Sequence, residues 1–459
     1  MYVFQRGDRK KERRRKVSMS ATKLIALSFL GIILLGTVLL MLPISARSGQ
    51  SCPFLPALFT ATSATCVTGL TPFDTWTQWS GFGQVVLLCL IEVGGLGFMS
   101  AATLVIFLLH RKVGLRQRMV IAQALSLNEM DGVVRLQRTV IFGSLGFEAA
   151  GALILTGWFW PKYGFVRALR WGVFHSVSAF CNAGFDIFGA LEPGSSLQLF
   201  KNDPVVLLTL GALVTVGGLG FLVWQDIAEK RCWKKLTVYS RLVLSATAIL
   251  IVGGWVLICI LEWNNPETLG TLSVGGKLLG GLFQSVTLRT AGFDAINQAG
   301  LTQGGKAVSM AIMLIGGSSG STAGGLKTVT ALVVLLFIGT RARGRSNVTV
   351  FCHTIPQEQV LNAMTISLIM VVLSMFGGIF ISATSAVGFT DALYESISAL
   401  ATVGLTAGAT GLLSIPAKIL IIIFMYFGRV GVLTISLGFL MGNQAVERFR
   451  YAETSLLIG

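Results

Sequence analysis

Four short segments of the sequence end in a glycine and share the same chemistry. Small or hydroxyl-bearing residues precede each glycine and an apolar residue follows it, in the segments 64–70, 179–185, 287–293 and 399–405. The glycines recur at intervals of about 110 residues, far longer than the repeat of a solenoid or propeller. Four equivalent loops can close a ring around one axis, and a ring of backbone carbonyls can replace the hydration shell of a potassium ion. The pattern therefore predicts an ion pore.

Glycine suits these loops because it adopts, at little cost, the backbone dihedral angles that aim successive carbonyls at one axis. The helix before each loop contributes its partially negative C-terminal end, which favours a cation. A lone glycine between apolar segments is usually a plain turn, but four in register favour a selectivity filter. The residues predicted to form it are Val67, Thr68, Gly69, Asn182, Ala183, Gly184, Thr290, Ala291, Gly292, Thr402, Val403 and Gly404. Each unit has one such glycine, where potassium channels with a Gly-Tyr-Gly stretch have two. We therefore expect fewer ion sites and a permissive preference for potassium over sodium.

The composition indicates an integral membrane protein. Of 459 residues, 53% are hydrophobic and only 12% are charged, against roughly a quarter charged in soluble domains. Eight apolar runs approach the spanning length of roughly 20 residues. They cover 24–42, 82–109, 139–160, 205–224, 242–261, 307–338, 363–381 and 419–440.

Four shorter segments lie between the paired spans, at 53–65, 171–180, 275–288 and 391–400. They are too short to cross a membrane and are typical of re-entrant helices. The positions of the basic residues test whether these segments cross the membrane, because 25 of the 36 lysines and arginines cluster at the repeat boundaries. Two crossings plus one re-entrant helix per repeat place every boundary on the cytoplasmic side, as the positive-inside rule requires. The repeats are therefore expected to be parallel, with both termini in the cytoplasm.

The predicted fold is an all-α integral membrane protein of the cell membrane. It has eight transmembrane helices plus four re-entrant pore helices, as four M1-P-M2 repeats (membrane helix, pore helix, membrane helix) in pseudo-fourfold arrangement around a central pore. The predicted boundaries are 1–21 for a basic N-terminal tail, 22–110, 111–230, 231–340 and 341–445 for the four repeats, and 446–459 for a C-terminal tail. The basic tail orients the protein or contacts anionic lipid or an acidic partner; nothing indicates nucleic acid.

The third repeat departs from the others within its second span. Ten consecutive small or polar residues interrupt it: Gly316, Gly317, Ser318, Ser319, Gly320, Ser321, Thr322, Ala323, Gly324 and Gly325. Such a stretch cannot hold a lipid-facing helix, and at membrane depth it survives only when it lines a wet cavity. It begins about 24 residues after Gly292, which places it just below the filter. The alternatives are a packing kink and a gate, and the length of the stretch favours a gate.

Arg429 occupies the matching position of the fourth repeat. An arginine at this depth costs several kcal/mol unless it faces the bundle interior and finds acceptors. We consider two alternatives: that Arg429 clamps the 316–325 loop across the pore as part of the gate, or that it forms a structural ion pair with Glu92 or Glu148. Arg289, beside the filter, is expected to support the third filter loop from behind. Asp186 and Asp294 are expected in the outer mouth, where they would enrich cations.

Other chemistries find little support in the sequence. Seven cysteines show no C-x-x-C spacing, three histidines are scattered, and no catalytic constellation or phosphate loop is present, so neither an enzyme nor a metal centre is expected. The repeated Val-Gly-Gly-Leu-Gly-Phe at 93–98 and 216–221 indicates close helix packing. An alternating-access secondary transporter would show inverted halves and paired broken helices; the sequence shows parallel units and one obvious break.

The four loops, Arg289-Thr290-Ala291-Gly292-Phe293 and the linker 344–356 resemble the Ktr/Trk/HKT superfamily of potassium transporters over nearly the whole chain. The KtrB-type subunit is more similar than TrkH, because no extra hairpin precedes the first repeat. The resemblance implies a potassium-translocating subunit, often sodium-dependent, that works as a homodimer. It also implies a cytosolic ring of KtrA-type nucleotide-binding subunits. Potassium is then the transported ion, and no organic cofactor is expected in this chain. Cys181-Asn182 in the second filter loop departs from the threonine-like residues expected there.

Overall fold

The computed structural model describes residues 21–97 and 133–431. Within these ranges the chain is almost entirely helical. Its helices in chain order are α1 (Ala21–Met41), α2 (Phe54–Thr65), α3 (Thr75–Gln78), α4 (Gly81–Leu96), α5 (Val133–Tyr163), α6 (Phe165–Phe180), α7 (Pro204–Leu219), α8 (Phe221–Lys230), α9 (Val238–Glu262), α10 (Val274–Thr287), α11 (Gln303–Leu314), α12 (Thr328–Ala342), α13 (Gln357–Thr384), α14 (Phe389–Leu400) and α15 (Ile415–Val430). A short antiparallel hairpin, β1 (Thr349–Val350) with β2 (His353–Thr354), lies between α12 and α13.

Each repeat opens with a long apolar helix: α1, α5, α9 or α13. All four contain a segment long and apolar enough to cross a membrane. Their outward faces carry exposed aliphatic side chains, such as Leu35 and Leu368, which a soluble protein would bury. The prediction of a helical membrane protein is confirmed by these faces.

The pore helices α2, α6, α10 and α14 lie inside the ring of longer helices. Helix α2 begins after Pro53 and α10 after Ser273, whose hydroxyl accepts a hydrogen bond from the backbone N–H of Gly276, whereas α6 and α14 follow glycines, Gly164 and Gly388. Large side chains on them, including Phe59, Trp171 and Tyr394, are fully buried. The short segments predicted from the sequence are therefore interior helices, and α6 begins six residues earlier than the predicted 171.

The second span is described only in part in the first and fourth repeats and is broken in the second and third. The sequence predicts one continuous span over 205–224, but the chain bends by 92° between α7 and α8. Gly220, at the bend, has a φ of 93°, which side-chained residues rarely adopt. In the first and fourth repeats, α4 and α15 end at Leu96 and Val430, and the predicted continuations to 109 and 440 lie outside the described residues, as do both predicted tails up to residue 20 and from 446. In the third repeat, α11 and α12 flank the 316–325 loop.

Candidate ion-binding site

The four pore helices end in the same backbone conformation. The residue two positions before each filter glycine has a positive φ: 55° at Val67, 58° at Asn182, 68° at Thr290 and 53° at Thr402. A positive φ is uncommon for residues other than glycine, and for β-branched side chains it is a genuine outlier. Three of the four residues are β-branched. Such strain persists only where the surrounding structure holds it, and it concentrates at functional sites.

Hydrogen bonds of the helix C-terminus hold this conformation. In the first unit, the backbone N–H of Thr68 donates to the carbonyl of Ser63 at 2.8 Å. The same bond of a left-handed helix cap recurs in the second and fourth units, from Ala183 to Ser178 and from Val403 to Ser398. The third unit differs, because Ala291 donates to Thr287 four residues back at 3.0 Å.

The filter glycines form a closed ring. A Cβ atom at Gly69 would lie 2.7 Å from the carbonyl oxygen of Ala183, and one at Gly184 would lie 2.8 Å from that of Ala291. A Cβ atom at Gly292 would lie 2.6 Å from the carbonyl oxygen of Val403. One at Gly404 would collide with the carbonyl of Thr68, which closes the ring. Each glycine thus faces the carbonyl of the next unit in chain order, and no side chain fits at these four positions.

Hydroxyl groups line the same region without partners. The Oγ1 atoms of Thr68, Thr290 and Thr402 are buried and accept or donate no hydrogen bond among the described residues, and the same holds for Thr65. Buried hydroxyls are normally hydrogen-bonded, so an orphaned one in this position fits an ion or water ligand. The residues predicted to form the filter are therefore brought together, with their glycines and several oxygen atoms at one axis.

A second set of hydroxyls, missed in the sequence, supports the loops from behind. The Oγ atoms of Ser63 and Ser398 accept hydrogen bonds from the backbone N–H of Gly69 and Gly404, both at 3.0 Å. In the other two units, the Ser178 and Thr287 hydroxyls donate to the carbonyls of Phe185 and Phe293, the residues directly after the filter glycines. The sequence signal that could have identified these hydroxyls is a serine or threonine five or six residues before each filter glycine.

Glycines of the second spans pack directly under the pore helices. A Cβ atom at Gly94, Gly217 or Gly428 would collide with the last helical carbonyl of a pore helix, on Thr65, Phe180 or Leu400 respectively. This contact accounts for the repeated Val-Gly-Gly-Leu-Gly-Phe sequence, because any larger residue would push the span away from the filter.

The 316–325 loop lies against these same elements. The backbone N–H of Ser318 donates to the carbonyl of Gly218 at 3.0 Å, and the Thr322 hydroxyl donates to that of Phe180 at 3.1 Å. On the opposite side, a Cβ atom at Gly324 would collide with the Thr402 hydroxyl of the fourth filter loop. The backbone N–H of Phe221, just after the 92° bend, donates to the Gly320 carbonyl at 2.8 Å. The loop therefore runs beneath the filter and is seated in the break of the second repeat.

Arg429 bridges this loop to the first repeat. Its guanidinium donates to the carbonyls of Thr322 and Gly94, and to that of Gly95 at 2.8 Å. These acceptors are backbone oxygens from two different repeats. Glu92 and Glu148, the alternative partners considered above, lie instead beside Cys181, with one ligand atom of each of the three within 4.8 Å of the others.

Arg289 contacts the loop rather than the filter. Its guanidinium donates to the Gly316 carbonyl at 3.5 Å and to the Thr328 hydroxyl at 3.3 Å, so it joins the start of the 316–325 loop to the first residue of α12. Asp186 and Asp294 follow the filter glycines by two residues, and Asp294 is fixed by a backbone bond from Leu197 at 3.0 Å.

The long apolar helices, with their exposed aliphatic faces, and the buried short helices between them together define a multi-pass membrane protein. A family model described as the TrkH cation transport protein matches residues 4–447. The chain belongs to this family, which confirms the predicted membership of the Ktr/Trk superfamily. It is accordingly a transport protein and not an enzyme.

Several known proteins are similar over their whole length. The chain is 39% identical to the potassium/sodium uptake protein NtpJ of Enterococcus hirae, over 98% of this chain and 99% of that protein. It is 36% identical to the Ktr system potassium uptake protein B of Bacillus subtilis, over 96% and 98% respectively. The crystal structure of the potassium transporter TrkH from Vibrio parahaemolyticus covers 93% of this chain and 86% of its own, with a TM-score of 0.71 and 17% identity. This last likeness concerns the fold.

Proposed function

We propose that the chain mediates potassium uptake across the cell membrane through a filter formed by its four loops. The observation that carries the proposal is the closed ring, in which every filter glycine faces the carbonyl of the next unit. A ring of carbonyls of this kind replaces the hydration shell of a monovalent cation. The names of the similar proteins, which specify potassium or potassium and sodium uptake, support the choice of ion.

Within this proposal, the ion is coordinated by the backbone of residues 67–69, 182–184, 290–292 and 402–404, with the threonine hydroxyls as further oxygen ligands. The C-terminal ends of the four pore helices point toward the same place, and their partial negative charges favour a cation. Positive φ angles before the glycines expose successive carbonyls that a continuing helix would hide. Preference for potassium then depends on the number of carbonyls and on how firmly they are held.

We propose that the 316–325 loop and Arg429 gate this path from the cytoplasmic side. The loop lies directly below the second and fourth filter loops, and Arg429 anchors it to Gly94 and Gly95 across the pathway. A guanidinium in a cation pathway also adds an electrostatic barrier. Opening therefore requires that Arg429 release the Thr322 carbonyl and that the loop leave its seat beside Gly218.

We further propose that the chain functions as a sodium-dependent homodimer in contact with a cytosolic ring of KtrA-type nucleotide-binding subunits. The resemblance to KtrB-type subunits supports both partners, and the basic residues at the repeat boundaries support cytoplasmic termini. Nucleotide-driven movement of such a ring would act on the cytoplasmic ends of the broken spans, next to the loop.

The direct test is rescue of growth at low potassium in a bacterium that lacks its own uptake systems. We expect the chain to restore growth and rubidium uptake, with further stimulation by a co-expressed KtrA-type subunit and by sodium. A control strain expresses the same chain with residues 402–404 deleted. Absence of rescue by a correctly inserted, full-length chain would contradict potassium uptake.

A second candidate, an alternating-access cation symporter, gains one supporting observation from the structure. Within residues 21–97 and 133–431, two second spans are interrupted: α7–α8 at Gly220 and α11–α12 at the 316–325 loop. Paired broken helices are a feature of such transporters. Unitary currents through the reconstituted protein would favour the gated pore, whereas a fixed stoichiometry of sodium to potassium without measurable currents would favour the symporter.

A further inference from the structure

The outer ends of the filter loops carry an asymmetric set of carboxylates. Two residues after the filter glycine, the second and third units have Asp186 and Asp294, whereas the first and fourth units have threonines, Thr71 and Thr406. In the fourth unit a carboxylate reaches the same level from another direction. Glu395, on the pore helix α14, accepts a hydrogen bond from the Thr406 hydroxyl.

Glu395 is fully buried and only half satisfied. Its Oε1 atom accepts from the hydroxyls of Thr406 and Thr410, the latter at 2.9 Å. Its Oε2 atom is buried and has no hydrogen-bond partner among the described residues. A buried carboxylate oxygen without a donor is costly, and a bound cation is one way to satisfy it.

Asp294 presents a second oxygen of the same kind. Its Oδ1 atom is buried without a partner in the described part of the chain. The position of its backbone is fixed, because its N–H donates to the Ser196 hydroxyl at 3.4 Å and its carbonyl accepts from Leu197 at 3.0 Å. The carboxylate is therefore held in place by the outer loop of the second repeat.

The two carboxylates belong to neighbouring units, the third and the fourth. The third and fourth filter loops are adjacent in the ring, where a Cβ atom at Gly292 would lie 2.6 Å from the Val403 carbonyl. Tyr394, next to Glu395, also reaches the outer loop of the third repeat, through a 3.0 Å hydrogen bond to Gln298. These contacts place α14 directly beside the segment that bears Asp294.

No basic residue neutralises this pair within the described residues. Lys306, on α11, is the basic side chain beside this part of α14, and its Nζ atom is 2.7 Å from Asp391, one helical turn before Glu395. Asp186, at the matching position of the second repeat, is a further carboxylate at the outer ends of the filter loops. The arrangement of two unpaired oxygens, nearby hydroxyls and no countercharge is the donor set of a hard, oxygen-preferring cation.

We propose that Asp294 and Glu395 bind such a cation, sodium, at the outer end of the pathway, in a site separate from the filter. The proposal rests on the proposed function, since a cation transporter exposes this face to external cations, and it assigns the sodium response to particular residues. The bound ion acts on the filter through Thr406, whose hydroxyl donates to Glu395 and whose backbone follows Gly404 by two residues. Occupancy therefore fixes the fourth filter loop.

The test is thermal unfolding of the purified full-length chain in detergent, in potassium-free choline chloride, with sodium chloride added at constant ionic strength. A ligand that binds only the folded state raises the melting temperature. We expect sodium to raise that of the wild type by roughly 3 °C, and Glu395→Gln and Asp294→Asn each to abolish the increase. Glu192→Gln, which removes an exposed carboxylate of the outer loops, should retain it.

Two further arms identify the ion and separate this proposal from the proposed function. Calcium chloride tests the other common cation of this ligand chemistry, and an increase caused by calcium alone would overturn the assignment to sodium. Potassium chloride reports on the filter, and its effect should persist in both variants. A sodium effect that survives in both variants, or that is absent from the wild type, overturns the site. Failure of the wild type to take up rubidium would contradict potassium uptake and leave the melting measurement valid.

Discussion

The filter ring and the layer directly beneath it are built from the same four repeats but differ in symmetry. In the ring, all four units place a residue of positive φ two positions before a glycine of positive φ. In the layer beneath, the units share less. The described helices α4, α7 and α15 end at glycines of positive φ (Gly97, Gly220 and Gly431), the chain bends by 92° at the second of these, and in the third repeat the 316–325 loop separates α11 from α12.

In the proposed function, the difference follows from what each layer must do. An ion that has lost its water must be surrounded evenly, so every unit of the ring is held to one geometry. In the proposed gate, the element that moves is the 316–325 loop, which is not helical and is bonded to the second repeat at Gly218 and Phe180. Arg429, from the fourth repeat, makes a contact that has no counterpart at fourfold-related positions, because its one guanidinium bonds to the carbonyls of both Thr322 and Gly94.

The largest effect is expected from breaking the ring. Gly404→Ser introduces a side chain at a φ of 93°, where a Cβ atom would collide with the Thr68 carbonyl. We expect the preference for rubidium over sodium to fall by about tenfold, which corresponds to about 1.4 kcal/mol. The measurement is the ratio of the initial uptake rates of the two ions in whole cells.

Gly411→Ser is the matched control, because Gly411 lies in the outer loop of the same repeat and a Cβ atom there would meet no atom within 4 Å. Its selectivity should equal that of the wild type. Unchanged discrimination in Gly404→Ser would mean that the ring does not select the ion.

A smaller, opposite effect is expected from the layer beneath. Arg429→Ala removes the bridge between Thr322 and Gly94, so the loop is released and a positive charge leaves the pathway. We expect uptake to rise roughly threefold and to lose its dependence on a cytosolic partner, with selectivity unchanged. Deletion of residues 317–324 should act in the same direction. Arg343→Ala, an exposed arginine after α12, is the control; a fall in uptake by Arg429→Ala alone would show that Arg429 only supports the fold.

The smallest effect concerns the hydroxyls behind the ring. Ser398→Ala removes the acceptor for the backbone N–H of Gly404, which should cost about 1 kcal/mol. We expect a melting temperature lower by a few degrees in detergent and a two- to threefold loss of discrimination, roughly what that free energy allows. Thr384→Ala, at the exposed end of α13, removes a hydroxyl bonded only within its own helix and should leave selectivity intact.

The filter ring could be predicted from the sequence, whereas the layer beneath it could be predicted only in part. The glycines at 69, 184, 292 and 404 mark the ring, because a backbone of positive φ restricts the residue type. The 316–325 loop was equally visible, since ten small residues cannot continue an apolar helix. The bend at Gly220 could not be predicted, because the apolar run 205–224 is continuous and hydropathy does not show where a helix axis changes direction.

The partners of charged side chains were harder to predict than their burial. The depth of Arg429 indicated an interior acceptor, but backbone carbonyls leave no mark in the sequence, so the carbonyls of Gly94 and Gly95 could not be distinguished from the carboxylates of Glu92 and Glu148. The hydroxyls of Ser63, Ser178, Thr287 and Ser398 were missed for a related reason. Serine and threonine are common in helices, and only the fold shows that these four face the filter loops.

The central claim, that four loops jointly hold one dehydrated monovalent cation, is tested most directly by anomalous diffraction from crystals of the full-length chain grown in rubidium. The account predicts a rubidium peak on the axis between the carbonyls of Thr68, Ala183, Ala291 and Val403, which diminishes when sodium replaces rubidium. Rubidium found only outside this ring, or four loops that do not converge on one axis, would contradict it.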